Sequence, residues 1–297
     1  ITAVQALYGL AGAPTAAQIR TAVVDKVGGA ARKSQAIYQT DGFNGPDLYI
    51  GRTACRDNVS RYNVHLVTDP DGSYFSQDDS NERANAANTH YGRLYIANNR
   101  IDDSAATTLG TVLASVSHEM QHAIQSNYGM LSYAGKGFTE GTATTYGKTI
   151  DNNQVVRVRT ETERLDQSLM EPDKSNRYNN EDFFAYVARQ YNGGRLNYVS
   201  GLWSSMQSTL GTPSASSWAA HMTALDTYLK ASFAQPLTAV YLDFLRQRAL
   251  DHNANSQFGR GGEVVAGFAA NLFPAANYTR AVDVGICDKS KISLTWP

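Results

Sequence analysis

The stretch Ser117-His118-Glu119-Met120-Gln121-His122 decides how the rest of the sequence is interpreted. It lies in a segment that begins after Asp102-Asp103-Ser104, a favourable helix N-cap cluster, and ends at Gly129, a common C-terminal signal. Apolar residues recur along one stripe of this segment: Leu109, Val112, Leu113, Val116, Met120, Ala123 and Ile124. The spacing predicts a helix that buries this stripe and leaves both histidines on a separate face.

His118 and His122 are four residues apart, so on a helix they share one face about 5–6 Å apart at Cβ. Two imidazoles placed in this way can bind one tetrahedral zinc ion. Glu119 lies beside them, where a carboxylate can take a proton from an activated water and pass it to a leaving group. The pattern predicts a zinc site with Glu119 as catalytic base, and two surface histidines on a helix are the alternative.

A third protein ligand is expected downstream, because three ligands leave one zinc position open for hydrolysis. Glu140 follows a glycine-containing loop that is long enough to let a second helix, over about 138–150, return against the first. The Gly and Thr residues after Glu140 favour close packing between the two helices. Glu140 is therefore the candidate ligand, and an ordinary glutamate near a helix N-terminus is the alternative.

The pattern along the chain predicts an α+β fold, with a mixed sheet and the active-site helix in the N-terminal part and a mainly helical C-terminal part. A helix is expected from Pro14 to Tyr38. Strands are expected at 47–52, 62–68 and 93–97. The remaining helices are expected at about 138–150, 158–169, 180–191, 195–209, 215–231 and 236–250. We predict two subdomains, residues 1–129 with the zinc-binding helix and residues 130–297 with the third ligand, and the tail 282–297 forms a strand or lies on the surface.

The H-E-x-x-H motif with Glu140-Gly141 on a later helix resembles the gluzincin zinc metallopeptidases, which include the thermolysin and aminopeptidase branches. Secreted bacterial neutral metallopeptidases of the hyicolysin type share this order of motifs. The third histidine of the metzincins is absent after His122. The resemblance covers about residues 115–195, and it implies a gluzincin-like fold, bound zinc and peptide-bond hydrolysis.

The segment from Tyr178 to Gly194 is similar to a helix of the aminopeptidase branch, in which a tyrosine donates a hydrogen bond to the oxyanion. The resemblance implies this role for Tyr178, with Tyr186 as the alternative, although Glu181 stands where the family usually has glycine. The Gly-x-Met-Glu-Asn strand of the aminopeptidases is absent, which favours an endopeptidase. Thr144 stands where thermolysin-like enzymes have an aspartate that orients a histidine, so another group must orient the histidines here.

The overall charge argues against nucleic-acid or anionic-membrane partners. Formal net charge is −1, with 42% hydrophobic and 18% charged residues, and basic clusters are missing. No apolar run approaches the roughly 20 residues of a membrane span. We therefore expect a monomer that acts on a protein or peptide substrate.

Two cysteines bear on localisation. Cys55 and Cys287 form either one long-range disulfide in an exported protein or two free thiols in a cytosolic one. The chain begins without an initiator Met or a signal peptide, as a trimmed mature form would. Lys is scarce, while Asn, Ser, Thr, Tyr and Gly are abundant. We expect a secreted or periplasmic protein.

A second candidate ion is calcium, at the acidic turn Asp69-Pro70-Asp71-Gly72-Ser73 and the following Asp78-Asp79. The turn does not fit the EF-hand spacing, and an ordinary acidic turn is the alternative.

Together these features predict a zinc-dependent endopeptidase. Two alternatives remain, a zinc hydrolase of a non-peptide bond and a zinc-binding or adhesion module on a retired enzyme scaffold.

Overall fold

The computed structural model describes residues 16–45, 62–67, 73–77, 92–97, 108–130, 136–150, 180–253 and 292–294 of the 297-residue chain. These residues contain seven α-helices: α1 Ala16–Thr40, α2 Thr108–Asn127, α3 Lys136–Ile150, α4 Glu181–Tyr191, α5 Tyr198–Leu210, α6 Trp218–Phe233 and α7 Leu237–Asn253. A short 3-10 helix, Pro213–Ala215, precedes α6. They also contain four strands: β1 Tyr62–Val67, β2 Tyr74–Gln77, β3 Gly92–Ala97 and β4 Ile292–Leu294.

Helix α2 lies at the centre of the described core and contacts both α1 and α3. Where its side chains are described, the apolar stripe predicted from the sequence is buried, at Val112, Leu113, Val116, Met120, Ala123 and Ile124. The stripe joins one core cluster with side chains of the other helices. Burial of this stripe leaves the opposite side of α2, which carries the two histidines, available for a site.

The four strands pair in the order β2-β3-β1-β4. Strands β1 and β3 are parallel, and the other two pairs are antiparallel. Strands β1 and β3 match the predicted strands at 62–68 and 93–97, whereas β2 was not predicted. Strand β3 has a partner on each side, so it is not an edge strand on which an extended peptide could pair.

The predicted α+β fold class, with a mixed sheet as the framework of the N-terminal part, is wrong, because the described chain is mainly helical. The strands are at most 6 residues long, and only Val64, Leu94 and Ile96 among their described side chains are buried. Such short strands do not supply a layer that covers the core. The 25-residue helix α1 packs against α2 instead.

Most of the predicted helices correspond to helices of the structure within a few residues of their ends. The predicted strand at 47–52 and the predicted helix at 158–169 lie outside the described residues. The predicted division after residue 129 stays a prediction. Within the described part of the chain, no helix is both long enough and apolar enough to cross a membrane.

Helix α3 is held close to its neighbours by two glycines. A Cβ at Gly147 would lie 2.9 Å from the carbonyl oxygen of Ala114 on α2, and a Cβ at Gly141 would lie 2.9 Å from the Phe184 ring on α4. Contacts below about 3 Å require a shift of the surrounding atoms, so both close approaches require a residue without a Cβ, which is glycine. The glycines therefore allow α3 to lie between α2 and α4.

The far end of α3 is anchored by a buried hydroxyl. Tyr146 Oη lies 2.8 Å from Asp41 Oδ2 and 2.9 Å from the Leu196 carbonyl, and its one proton is shared between these two acceptors. Ser200 Oγ donates to the Asp41 carbonyl at 2.7 Å. These bonds join α3 to the residue that follows α1 and to the start of α5.

Candidate metal centre

Four side chains predicted for the site meet where α2 and α3 pack together. Glu140 Oε2 lies 3.3 Å from His118 Nε2 and 3.3 Å from His122 Nε2. The two histidine Nε2 atoms are 3.1 Å apart. The metal-binding atoms of His118, Glu119 and His122 lie within 4.8 Å of one another. The structure thus brings together the predicted ligands and the predicted base.

The triangle formed by the two Nε2 atoms and Glu140 Oε2 has the dimensions of a zinc site. Metal–ligand bonds of about 2.0–2.1 Å in a tetrahedron place neighbouring ligand atoms about 3.3–3.4 Å apart. The three separations of 3.1, 3.3 and 3.3 Å agree with this spacing. Two imidazoles and one carboxylate also form a ligand set that zinc accepts, with one position left for water or substrate. The residues present therefore fit the ion.

Two alternative ligand sets are possible in this group, because Glu119 lies near both histidines as well. Glu140 approaches both Nε2 atoms at 3.3 Å, whereas the group that includes Glu119 spans up to 4.8 Å. The shorter distances favour Glu140 as the third ligand. Glu119 is then a buried carboxylate beside the candidate metal position, with 6% of its surface exposed.

Charges within the site shift the pKa values of its members in opposite directions. Burial alone lowers the pKa of His122, but the hydrogen bond and charge of Glu140, with the charge of Glu119, outweigh burial and raise this pKa to about 9. Burial raises the pKa of Glu140, yet hydrogen bonds and charges from His118 and His122 hold it far below its usual value. Both shifts have the same cause: the carboxylates favour a positive charge beside them, which a proton on His122 or a bound cation supplies.

Each histidine has a hydrogen-bonding neighbour at its second ring nitrogen. His122 Nδ1 lies 2.8 Å from Gln125 Oε1, and His118 Nδ1 lies 3.5 Å from Thr144 Oγ1. The first distance is a strong hydrogen bond, and the second is at the limit of one. Tyr38 Oη donates to the Ser117 carbonyl at 2.8 Å and fixes the backbone just before His118.

Sequence reasoning left open which group orients the histidines, and the structure provides Gln125 and Thr144. A signal for Gln125 was present, since it lies three residues after His122 on the same helix, where side chains meet. Thr144 was recognised only because thermolysin-like enzymes have an aspartate at the corresponding position of their motif. Its contact with His118 depends on the packing of α3 against α2, which the sequence pattern did not specify.

Tyr178 and Tyr186 are the two tyrosines predicted for the oxyanion role. Tyr178 lies outside the described residues. Tyr186 is buried on α4, and its hydroxyl donates to Asp243 on α7. Phe184, about 200° away around α4, is the residue that contacts Gly141 on α3. Tyr186 therefore faces α7 and not the helix that carries Glu140.

Other predicted features fall on parts of the chain that are not described. These are the cysteine pair Cys55 and Cys287 and the acidic residues of the calcium candidate, Asp69, Asp71, Asp78 and Asp79. The disulfide and the calcium site stay predictions.

Comparison with known protein families, characterised proteins and solved structures finds no match to this chain. The four converging side chains are therefore the feature that indicates a function.

Proposed function

We propose that the protein is a zinc-dependent endopeptidase in which His118, His122 and Glu140 hold the metal. The observation that carries this proposal is the approach of three metal-binding atoms to within 3.1–3.3 Å of one another. Electron-rich atoms repel at such distances unless a cation or a proton lies between them. A tetrahedral zinc ion satisfies this requirement with the spacing that is found.

Glu119 is proposed as the general base and acid. A zinc ion bound here would act as a Lewis acid, lower the pKa of water to about 7 and polarise a substrate carbonyl. Glu119 takes the proton from the attacking water and passes it to the leaving nitrogen, so that the C–N bond breaks and an amine leaves. A binding module would have no need of a base, and the position of Glu119 beside both histidines therefore supports hydrolysis.

The substrate is proposed to be an extended peptide. Among the described strands, β3 is paired on both sides, and β2 lies at the edge of the sheet and contacts α2. An exposed edge strand can pair with the backbone of an extended segment. The proposed position of the substrate is therefore along β2, at the edge of the described strands. Tyr178 as oxyanion donor and a secreted or periplasmic location belong to the same proposal.

The test is zinc content by elemental analysis, combined with cleavage of a denatured protein substrate with and without a chelator. We expect about one zinc per chain and cleavage that the chelator abolishes and added zinc restores. One zinc without cleavage of any unfolded substrate would overturn the endopeptidase assignment in favour of a non-peptide hydrolase or a retired scaffold. A chain that binds no zinc would overturn the metal centre itself.

A further inference from the structure

Gln125 forms hydrogen bonds with both helices of the candidate metal centre. Its side chain is fully buried on α2. Its Oε1 lies 2.8 Å from His122 Nδ1. Its Nε2 donates to the Thr139 carbonyl at 2.9 Å and to Thr142 Oγ1 at 3.0 Å, both on α3. The Gln125 amide therefore forms hydrogen bonds with His122, a proposed ligand, and with Thr139, the residue directly before the proposed ligand Glu140.

The partners of the amide determine which way it points. A carbonyl oxygen can only accept, so the Thr139 carbonyl requires an N–H from Gln125. Thr142 has one hydroxyl proton, which it donates to the Phe138 carbonyl at 2.8 Å. Its oxygen is therefore left to accept from Gln125. Both acceptors call for the NH₂ end of the amide, and the reversed orientation would place a carbonyl oxygen against the Thr139 carbonyl.

The orientation of the amide in turn determines the tautomer of His122. Since Gln125 Oε1 can only accept, the proton of this hydrogen bond must be on His122 Nδ1. In the neutral ring the lone pair is then on Nε2. His122 Nε2 is the atom that lies 3.3 Å from Glu140 Oε2 and 3.1 Å from His118 Nε2. The series of donors and acceptors thus directs a lone pair of His122 at the shared ligand position.

We infer that Gln125 is a positioning residue, which holds His122 in the Nδ1–H tautomer and fixes the start of α3 so that Glu140 reaches the same ion. This inference rests on the zinc centre of the proposed function. Residues that hydrogen-bond to histidine ligands orient the ring and raise its basicity. The contact between His118 Nδ1 and Thr144 is 3.5 Å long, compared with 2.8 Å between His122 Nδ1 and Gln125.

The direct test is the long-range ¹H–¹⁵N spectrum of the zinc-loaded protein, with the rings assigned by His122→Asn and His118→Asn. We expect His122 to show a proton on Nδ1 and metal coordination at Nε2. Coordination through Nδ1, with the proton on Nε2, would overturn the inference. The tautomer is observed in the unmodified protein, the two variants serve only to assign the rings, and no catalytic activity is needed.

The second test compares zinc affinity, by competition with a chromophoric chelator, in Gln125→Met, Gln125→Glu and Gln121→Met. Gln125→Met keeps the length of the side chain and removes all three hydrogen bonds, and we expect zinc to bind about 10–100-fold more weakly. Gln125→Glu keeps the acceptor for His122, so it should recover part of this affinity and keep the Nδ1–H signal. Gln121 is an equally buried amide on α2, and Gln121→Met should bind zinc like the wild type.

These outcomes separate the inference from the proposed function. Equal zinc affinity in the wild type and Gln125→Met would overturn the positioning role and leave the zinc centre in place. Equal losses in Gln125→Met and Gln121→Met would also overturn it, since any buried amide would then have the same effect. A wild-type protein that binds zinc, shows the expected spectrum and cleaves no peptide would overturn the endopeptidase and support Gln125.

Discussion

Gly147 on α3 approaches the carbonyl oxygen of Ala114 on α2 so closely that a Cβ at residue 147 would lie only 2.9 Å from that oxygen. The same Cβ would lie 3.6 Å from the Cβ of His118. The spacing of the two helices that bear the proposed ligands thus depends on the absence of a Cβ at residue 147. Glu140 lies two turns earlier on α3, so a change in helix spacing moves it relative to both histidines.

Gly147→Ala is expected to push α3 away from α2. The backbone oxygen of Ala114 cannot rotate away as a flexible side chain can, so the helices must separate. We expect a loss of about 1–3 kcal/mol in the free energy of unfolding and weaker zinc binding, measured by chemical denaturation and chelator competition. Gly29→Ala on α1 is the control, because nothing lies within 4 Å of its added Cβ. It should be neutral or stabilising by up to about 1 kcal/mol, and an equal loss in both variants would contradict the packing argument.

Glu119→Gln should retain zinc and lose turnover. The amide has nearly the size of the carboxylate but cannot accept a proton from water, so we expect kcat to fall by about 100-fold or more. Zinc content by elemental analysis should stay at the wild-type level. Peptidase activity close to that of the wild type would show that another group is the base.

Glu140→Gln, unlike Glu119→Gln, should weaken zinc binding. An amide carries no charge to balance zinc, so we expect the zinc dissociation constant to rise by more than the roughly 10–100-fold typical of residues that only support a ligand. Glu119→Gln removes the same charge from the same site and serves as its control in chelator competition. Equal zinc affinity in the two variants would remove Glu140 from the ligand set.

Asp41→Asn should change how stability depends on pH. Burial raises the pKa of Asp41 to about 6, and the hydrogen bond from Tyr146 and the charge of Arg195 oppose this rise only in part. The pKa of Asp41 is higher in the folded state than in the unfolded state, so the folded protein binds this proton more tightly. The protonated carboxyl therefore contributes stability at low pH, and this contribution is lost as pH rises through about 6. Between about pH 4.5 and 7.5, its free energy of unfolding should fall by about 2 kcal/mol relative to Asp41→Asn. Denaturation of both proteins in the same buffers, with chelator present, measures the difference. Parallel curves would show that the carboxyl has an ordinary pKa.

Tyr178→Phe and Tyr186→Phe form a matched pair for the oxyanion role. Loss of one oxyanion donor costs about 10²–10³ in kcat, and we expect this for Tyr178→Phe. Tyr186 donates to Asp243 on α7, so Tyr186→Phe should lower the free energy of unfolding by about 1–3 kcal/mol and leave kcat unchanged. Steady-state kinetics and denaturation of both variants test this, and a selective loss of kcat in Tyr186→Phe would reverse the assignment.

The helices were largely predictable because their apolar residues recur at helical spacing over long segments. The stripe of α2 and the spacing of His118 and His122 are local patterns, and local patterns can be seen in one sequence. Strand β2 was missed, since its four residues, Tyr-Phe-Ser-Gln, directly follow a turn and do not alternate clearly. The predicted α+β class was wrong because the prediction assumed that the strands form a sheet layer covering the core. The strands are short, and few of their described side chains are buried.

Glu140 could be named as a candidate from its place after a glycine-containing loop, but its distance from each histidine depends on how α3 packs. Gly147 and Gly141 decide that packing, and their partners Ala114 and Phe184 lie on other helices. The role of Gln125 also depends on atoms that meet only in the folded chain, the Thr139 carbonyl and the Thr142 hydroxyl. Relationships of this kind are set by tertiary contacts, and hydrophobic periodicity does not report them.

The bonds of Tyr146 to Asp41 and Leu196, with that of Ser200 to Asp41, have a consequence for biosynthesis. A nascent chain that has emerged from the ribosome through residue 150 already contains His118, Glu119, His122 and Glu140. It still lacks Leu196 and Ser200, to which the far end of α3 and the end of α1 are tied. We expect the proposed metal centre to assemble only after α4 and the start of α5 have emerged, so that the proposed peptidase activity would arise late in synthesis.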